Sequence, residues 1–131
     1  MATLTQSWNG TEADSGRSRA VMGILWALQI FSAAMFLMAG ASKLASVPMM
    51  VQMFGVIGVG QWFRYVTGTI EVVGAVLVLI PSVARYGAAA LALTMVGAII
   101  THLFIVGGSP AMPIVLLAST FTIAWARRSG R

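Results

Sequence analysis

Hydrophobic residues form long uncharged runs along the chain, and charged residues stand at the ends of these runs. Arg19 and Lys43 enclose 23 residues without Asp, Glu, Lys or Arg, and Lys43 and Arg64 enclose another 20. Arg85 and Arg127 enclose 41. A helix of about 20 apolar residues is long enough to cross the hydrocarbon core of a bilayer. The pattern therefore predicts an integral membrane protein made of helices.

Turn-forming residues divide the apolar runs into four predicted membrane helices. Pro81 and Ser82 separate the second helix from the third, and the segment GGSPAMP at 107–113 separates the third from the fourth, because glycine pairs and prolines mark turns. The fourth helix, of about 16 residues, is short for a membrane span. The predicted helices cover about 20–43, 63–80, 83–106 and 111–126.

The segment 44–62 is apolar enough to span a membrane, but it contains Pro48, Gln52 and three glycines. With four spans, six basic residues lie on one side of the membrane, and Lys43 and Arg64 lie on the other. A fifth span would place three basic residues on the side of the N-terminus and five on the opposite side. The positive-inside rule favours the first arrangement. We therefore predict a four-transmembrane-helix bundle. Both termini are then cytoplasmic, and 44–62 is an interfacial or re-entrant segment on the outer side.

Residues 1–18 are polar and rich in turn-forming residues, which predicts a disordered cytoplasmic tail. Residues 19–128 then form a single four-helix transmembrane domain. The first apolar run could instead belong to a signal peptide. Its 23 uncharged residues, however, exceed the core of about 7–15 residues that such peptides have. We therefore interpret this run as the first membrane helix.

The composition agrees with a membrane protein and restricts its chemistry. Hydrophobic residues make up 59% of the chain and charged residues 8%, against about 25% charged in soluble proteins. The basic residues behind the net charge of +5 flank apolar runs, so we expect anionic lipids as partners and no nucleic acid. The lack of cysteine excludes thiolate catalysis, iron–sulfur clusters and cysteine zinc sites. One histidine excludes a bis-histidine haem within a single copy, and no metal site is predicted.

Glu71 is the unusual residue of the second predicted helix. Thr67, Gly68, Glu71 and Gly74 are spaced by three or four residues and share one helix face. Small residues on that face let helices approach closely in lipid, so Glu71 should point into the bundle. A charge near the membrane centre costs at least about 2.5 kcal/mol and is therefore paired, neutralised or functional. The predicted helix-packing positions are Gly40, Gly68, Gly74 and Gly97.

The predicted topology places Lys43, Arg64, Glu71 and His102 in the outer half of the bundle, where they form a candidate polar pocket. Simpler explanations stay open for each of them. Glu71 could be only a packing contact, salt-bridged to Lys43 or Arg64. The two basic side chains could extend from the helix ends into water. His102 could donate a hydrogen bond to a backbone carbonyl and have no other role.

Three segments resemble the DoxX-like family of small four-helix membrane proteins: MAGASKL at 38–44, TGTIEVVGAVLVLI at 67–80 and GAIITHLF at 97–104. The resemblance covers roughly residues 25–126. It implies that six residues occupy the family's characteristic positions, namely Gly40, Lys43, Gly68, Glu71, Gly74 and His102. The family's namesake is a membrane subunit associated with a terminal quinol oxidase and with thiosulfate:quinone oxidoreduction in archaea. Similar animal proteins act in the assembly of other membrane proteins.

The resemblance makes an accessory subunit of a redox or quinone-linked membrane system the leading hypothesis. A quinone is then the candidate cofactor, and a membrane or peripheral oxidoreductase is the candidate partner that supplies electrons. Two alternatives stay open: a non-catalytic assembly or stability factor, and a small proton-coupled transporter. Small multidrug exporters carry their glutamate in the first helix, unlike this chain. Whether the protein is an enzyme or a homo-oligomer is left undecided.

Overall fold

The structure is a computed structural model that describes residues 2–128, with side chains described from Ser18 onward. Every element of regular structure in this range is a helix, which confirms the prediction of an all-helical protein. In chain order, the elements are α1 (Ala2–Leu44), α2 (Pro48–Ile57), α3 (Gln61–Val78), α4 (Ala84–Thr101), a π-helical segment (His102–Val106) and α5 (Ala111–Ala126).

Within the described residues, two helical segments are long and apolar enough to cross a membrane. They are Ser18–Leu44, with 27 residues, and Ala84–Val106, with 23 residues, the second made of α4 and the π-helical segment. The protein also carries many large apolar side chains on its surface, such as Leu93 and Phe104, which are 74% and 79% exposed. A soluble protein rarely exposes so much apolar surface, whereas lipid covers it at no cost.

The helices pack in a defined order. Helix α1 lies against α3, α3 also lies against α4, and α4 lies against α5, which in turn contacts α1. Phe36, Val78, Leu91 and Ile123, one from each of these helices, are fully buried in the core between them. The four predicted helices correspond to these four, and α3 begins two residues before the predicted start.

Glycines allow two of these contacts to be close. A Cβ atom added at Gly40 of α1 would lie 2.8 Å from the carbonyl oxygen of Gly68 in α3, too close for the backbones to keep their positions. One added at Gly74 would lie 2.8 Å from the side chain of Leu91 in α4. Gly97 differs from the packing prediction, because a Cβ atom there would meet no other atom within 4 Å. The close contacts therefore hold α3 between α1 and α4, and Gly97 takes no part in them.

Residues 44–62 contain a short helix between two tight turns. Before α2, Ser46 has φ of 60°, and after it Gly58 and Gly60 have φ of 81° and 121°, conformations that favour glycine. Helix α2 packs against α3 and against the π-helical segment. An amide hydrogen bond of 3.1 Å from Gln61 Nε2 to the Val51 carbonyl ties it to the start of α3. Its predicted position at the membrane interface stays a prediction.

The predicted disordered tail, residues 1–18, lies almost wholly in the part of the chain whose side chains are not described. Helix α1 is assigned from Ala2, so it begins before the predicted start at about residue 20. The division into a tail and a domain at 19–128 stays a prediction. The last three residues, 129–131, are outside the described range.

Candidate functional site

Glu71 forms a buried ion pair with Lys43 across the α1–α3 contact. Lys43 Nζ lies 3.0 Å from Glu71 Oε1 and 3.2 Å from Oε2. The carboxylate side chain is 1% exposed and the lysine side chain 12%. The pair is possible because Gly40 and Gly68 bring the two helices together beside it. Glu71 therefore points into the bundle, as the glycine-rich face of α3 predicts, and it is salt-bridged to Lys43, which is one of the simpler explanations that the sequence left open.

The ion pair lies at the edge of a cavity of about 400 Å³. All five α-helices and the π-helical segment contribute to the lining of this partly open cavity, and most of its surface is apolar, with phenylalanine and methionine side chains prominent. Its polar side chains are few. They are Lys43, Thr67, Glu71, Thr94, Thr101 and His102. A mainly apolar cavity with a few convergent polar groups is the usual form of a small-molecule site.

His102 lines this cavity at the junction of α4 and the π-helical segment. Its Nδ1 atom lies 2.9 Å from the carbonyl oxygen of Ala98, one helical turn earlier. A carbonyl oxygen accepts hydrogen bonds only, so Nδ1 carries the hydrogen and donates it. The backbone carbonyl of His102 accepts from the amide of Gly107, at 3.0 Å, which closes the wider π-type turn. Such turns frequently occur at functional sites.

Arg64 does not line the cavity with the other three predicted residues. It is only 3% exposed, so it does not extend into solvent either. Its Nη1 donates to the Lys43 carbonyl and, at 3.0 Å, to Ser46 Oγ, while its Nε donates to Gln61 Oε1 at 2.8 Å. Arg64 therefore joins the end of α1, and the turn after it, to the start of α3. The structure thus groups Lys43, Glu71 and His102 around one cavity and places Arg64 beside the turn.

A second buried polar cluster, not predicted as a site, lies towards the other end of the bundle. Arg127 is 2% exposed and donates to Gln29 Oε1 through Nε and Nη2, at 3.2 and 2.8 Å. Gln29 Nε2 donates in turn to the carbonyl of Val78, at 2.7 Å. The hydroxyls of Ser32 and Ser119 are 2.6 Å apart. In the sequence, Gln29 and Ser32 within an apolar run were the signal for this cluster. Arg127 stands at the end of an apolar run, and this position gave no sign that its side chain is buried.

A sequence model described as the DoxX-like family matches residues 27–125. This match confirms the resemblance seen in the three motifs and, with the two long apolar helices, indicates a membrane protein. A protein of Bacillus subtilis (strain 168) named "Putative oxidoreductase CatD" is 36% identical over 74 residues. The aligned part makes up 56% of this chain and 55% of that protein, about half of each. No solved structure matches the chain.

Proposed function

Because the chain belongs to the DoxX-like family, we propose that it is an accessory subunit of a redox or quinone-linked membrane system. The cavity beside Glu71 is its ligand site. The observation that supports this proposal most directly is the cavity itself, of about 400 Å³, because it combines a mainly apolar lining with an ion pair and a histidine. The name of the Bacillus subtilis relative, which contains the word oxidoreductase, is consistent with a redox association.

The lining residues fit the headgroup of a quinone. Phe63 lines the cavity, is 37% exposed and offers a flat apolar surface on which a ring packs, while Phe36 and Phe54 line it from almost fully buried positions. Lys43 has three N–H donors and uses its hydrogen bonds only partly on Glu71, so it can also donate to a ring oxygen. A bound quinone would supply two-electron, two-proton chemistry. The chain has no cysteine and one histidine, so we assign electron delivery to a partner oxidoreductase.

We also propose the topology that the charges favour. Helices α1, α3 and α5, and α4 with the π-helical segment, are four membrane spans, and α2 lies at the outer interface. Both termini are then in the cytoplasm of a bacterial inner membrane. The support is the distribution of basic residues, six against two, together with the apolar surface of the helices.

The test is native mass spectrometry of the protein extracted in mild detergent from quinone-containing membranes. We expect the wild type to carry a quinone and the Gly97→Leu variant to lose it, because Gly97 lines the cavity and a Cβ atom added there meets no other atom within 4 Å. The matched control is Gly23→Leu, since Gly23 is equally unobstructed but lies on the exposed surface of α1, away from the cavity lining.

Glu71→Gln should also lose the quinone, with folding checked by circular dichroism. The proposal is contradicted if the wild-type protein carries no quinone. It is also contradicted if the Gly97→Leu and Gly23→Leu variants retain the quinone equally. Retention of a membrane partner without any small molecule would then favour an assembly factor.

A further inference from the structure

The polar side chains of the cavity offer more hydrogen-bond acceptors than donors, and this difference points to a class of ligand. We infer that the cavity binds a neutral ring compound through hydroxyl groups that the ligand donates, so that a dihydroxy ring binds more tightly than the corresponding dione. The inference rests on the proposed function, because it states which form of a quinone the site prefers. It follows from the hydrogen bonds that the lining side chains already donate within the protein.

The three threonines of the cavity each donate their hydroxyl hydrogen to their own helix. Thr67 donates to the carbonyl of residue 63 at 2.8 Å, Thr94 to that of residue 90 at 2.9 Å, and Thr101 to that of residue 97 at 2.8 Å. Within a bilayer no water competes for these carbonyls, so the bonds persist. Each threonine oxygen is then left with its lone pairs, and it can only accept a hydrogen bond from a ligand.

His102 has the same bias. Its Nδ1 donates to the Ala98 carbonyl, at 2.9 Å. A neutral imidazole carries one N–H, so Nε2 holds a lone pair and is an acceptor. Among the hydrogen bonds of the described residues, this ring makes only the one through Nδ1. Nε2 is thus an acceptor on a residue that lines the cavity.

The ion pair completes the arrangement. Glu71 is 1% exposed and holds Lys43 with both oxygens, so it offers a ligand almost no surface. Of the described polar side chains in the lining, Lys43 alone contributes donors. The two charges cancel each other, which favours a neutral ligand over an ion. A dione, whose oxygens only accept, would have one side chain to bond with. A dihydroxy ring has two hydrogens to donate to the acceptors and can still accept from Lys43.

The experiment compares three probes with the same trimethyl ring: trimethylhydroquinone, trimethylbenzoquinone, which is of nearly equal size, and the dimethyl ether of the hydroquinone, which is larger by two methyl groups. Binding to the full chain in quinone-free lipid nanodiscs is measured by equilibrium dialysis, without oxygen and at pH 7.5. Each hydrogen bond left unmade weakens binding by about 2- to 10-fold. We therefore expect the diol to bind about 10-fold or more tightly than either other probe.

Two variants test whether the named side chains cause the preference for the diol. Thr94→Val keeps the shape of the side chain but removes an acceptor, and His102→Phe removes the imidazole acceptor. Each should reduce the preference for the diol by about 2- to 10-fold, while Gly23→Leu should leave it unchanged. Thermal unfolding shows whether each variant is folded. If His102→Phe is not folded, Thr94→Val still tests the inference.

The possible outcomes separate this inference from the proposed function. If the dione binds as tightly as the diol, or more tightly, the preference is wrong and the quinone-linked function stands. A preference that neither Thr94→Val nor His102→Phe changes would also overturn the inference. If none of the three probes binds, both the inference and the proposed function fail.

Discussion

Removal of one member of the Lys43–Glu71 pair at a time should have unequal effects on stability. The two charges are 3.0 Å apart, and at an effective dielectric constant of about 20 their attraction is about 5 kcal/mol. Most of this attraction offsets the loss of hydration that burial imposes on both groups. What differs between them is the ability of each to regain hydration once its partner is gone.

Lys43→Met leaves a carboxylate that is 1% exposed without its cation, and we expect a loss of about 3–5 kcal/mol in the free energy of unfolding. Glu71→Gln leaves Lys43, which lies in the last turn of α1. Its long side chain can carry the ammonium group to the interface, and the helix dipole favours a cation there. We expect Glu71→Gln to cost about 1–2 kcal/mol.

The assay is unfolding by sodium dodecyl sulfate in mixed micelles, followed by circular dichroism and tryptophan fluorescence. The double variant Lys43→Met/Glu71→Gln buries no charge, so it should be more stable than Lys43→Met alone, with a coupling energy of about 2–3 kcal/mol. Arg19→Met, at an exposed position on the same helix, is the control and should change stability by less than about 0.5 kcal/mol. The reasoning is refuted if Glu71→Gln costs as much as Lys43→Met, or if the two losses simply add.

Three further predictions test other parts of the fold, the first two in the same micelle assay and the third by amide hydrogen exchange. Gly40→Ala should destabilise by about 1–3 kcal/mol because its Cβ would lie 2.8 Å from a backbone oxygen of α3, whereas Gly97→Ala should be tolerated; equal effects would contradict the packing described. Arg127→Met should cost about 1.5–3 kcal/mol through its lost hydrogen bonds to Gln29, and an unchanged unfolding midpoint would argue against that cluster. Arg64→Met should increase amide hydrogen exchange in Pro48–Ile57 several-fold without changing exchange in α5, since Arg64 holds the turn that precedes this helix.

The helices and the inward orientation of Glu71 could be predicted because both depend on local patterns. Spacing between charges limits where a chain can cross lipid, and turn residues then divide the runs. The face of α3 with Gly68, Glu71 and Gly74 is set by helical geometry alone, and the structure buries all three residues. Lys43 was one of two candidate partners for Glu71, and the close approach of α1 and α3 selected it.

Other features depend on distances between helices, which no local pattern contains. Gly40 and Gly97 both stand in apolar helices at small-residue positions, yet only Gly40 faces a neighbouring backbone. Arg64 and Arg127 both flank apolar runs, as interfacial arginines do, yet both are almost fully buried. An arginine side chain is long enough to turn back from a helix end to carbonyl and amide oxygens of the bundle. The sequence does not reveal whether such oxygens are within reach.

The cavity results from unequal distances between neighbouring helices. Gly40 and Gly68 bring α1 against α3, and the ion pair closes this side of the bundle. No comparable contact exists at Gly97, among the residues described, and α4 leaves a space there that α2 borders with Met50, Met53 and Phe54. A glycine that merely saved space for packing would be covered by a neighbour. Gly97 is exposed instead, as Gly23 is, so its lack of a covering neighbour follows from its place on the surface. The proposed preference for a donating ligand rests on Thr94, Thr101 and His102, whose side chains have already donated their hydrogens to α4.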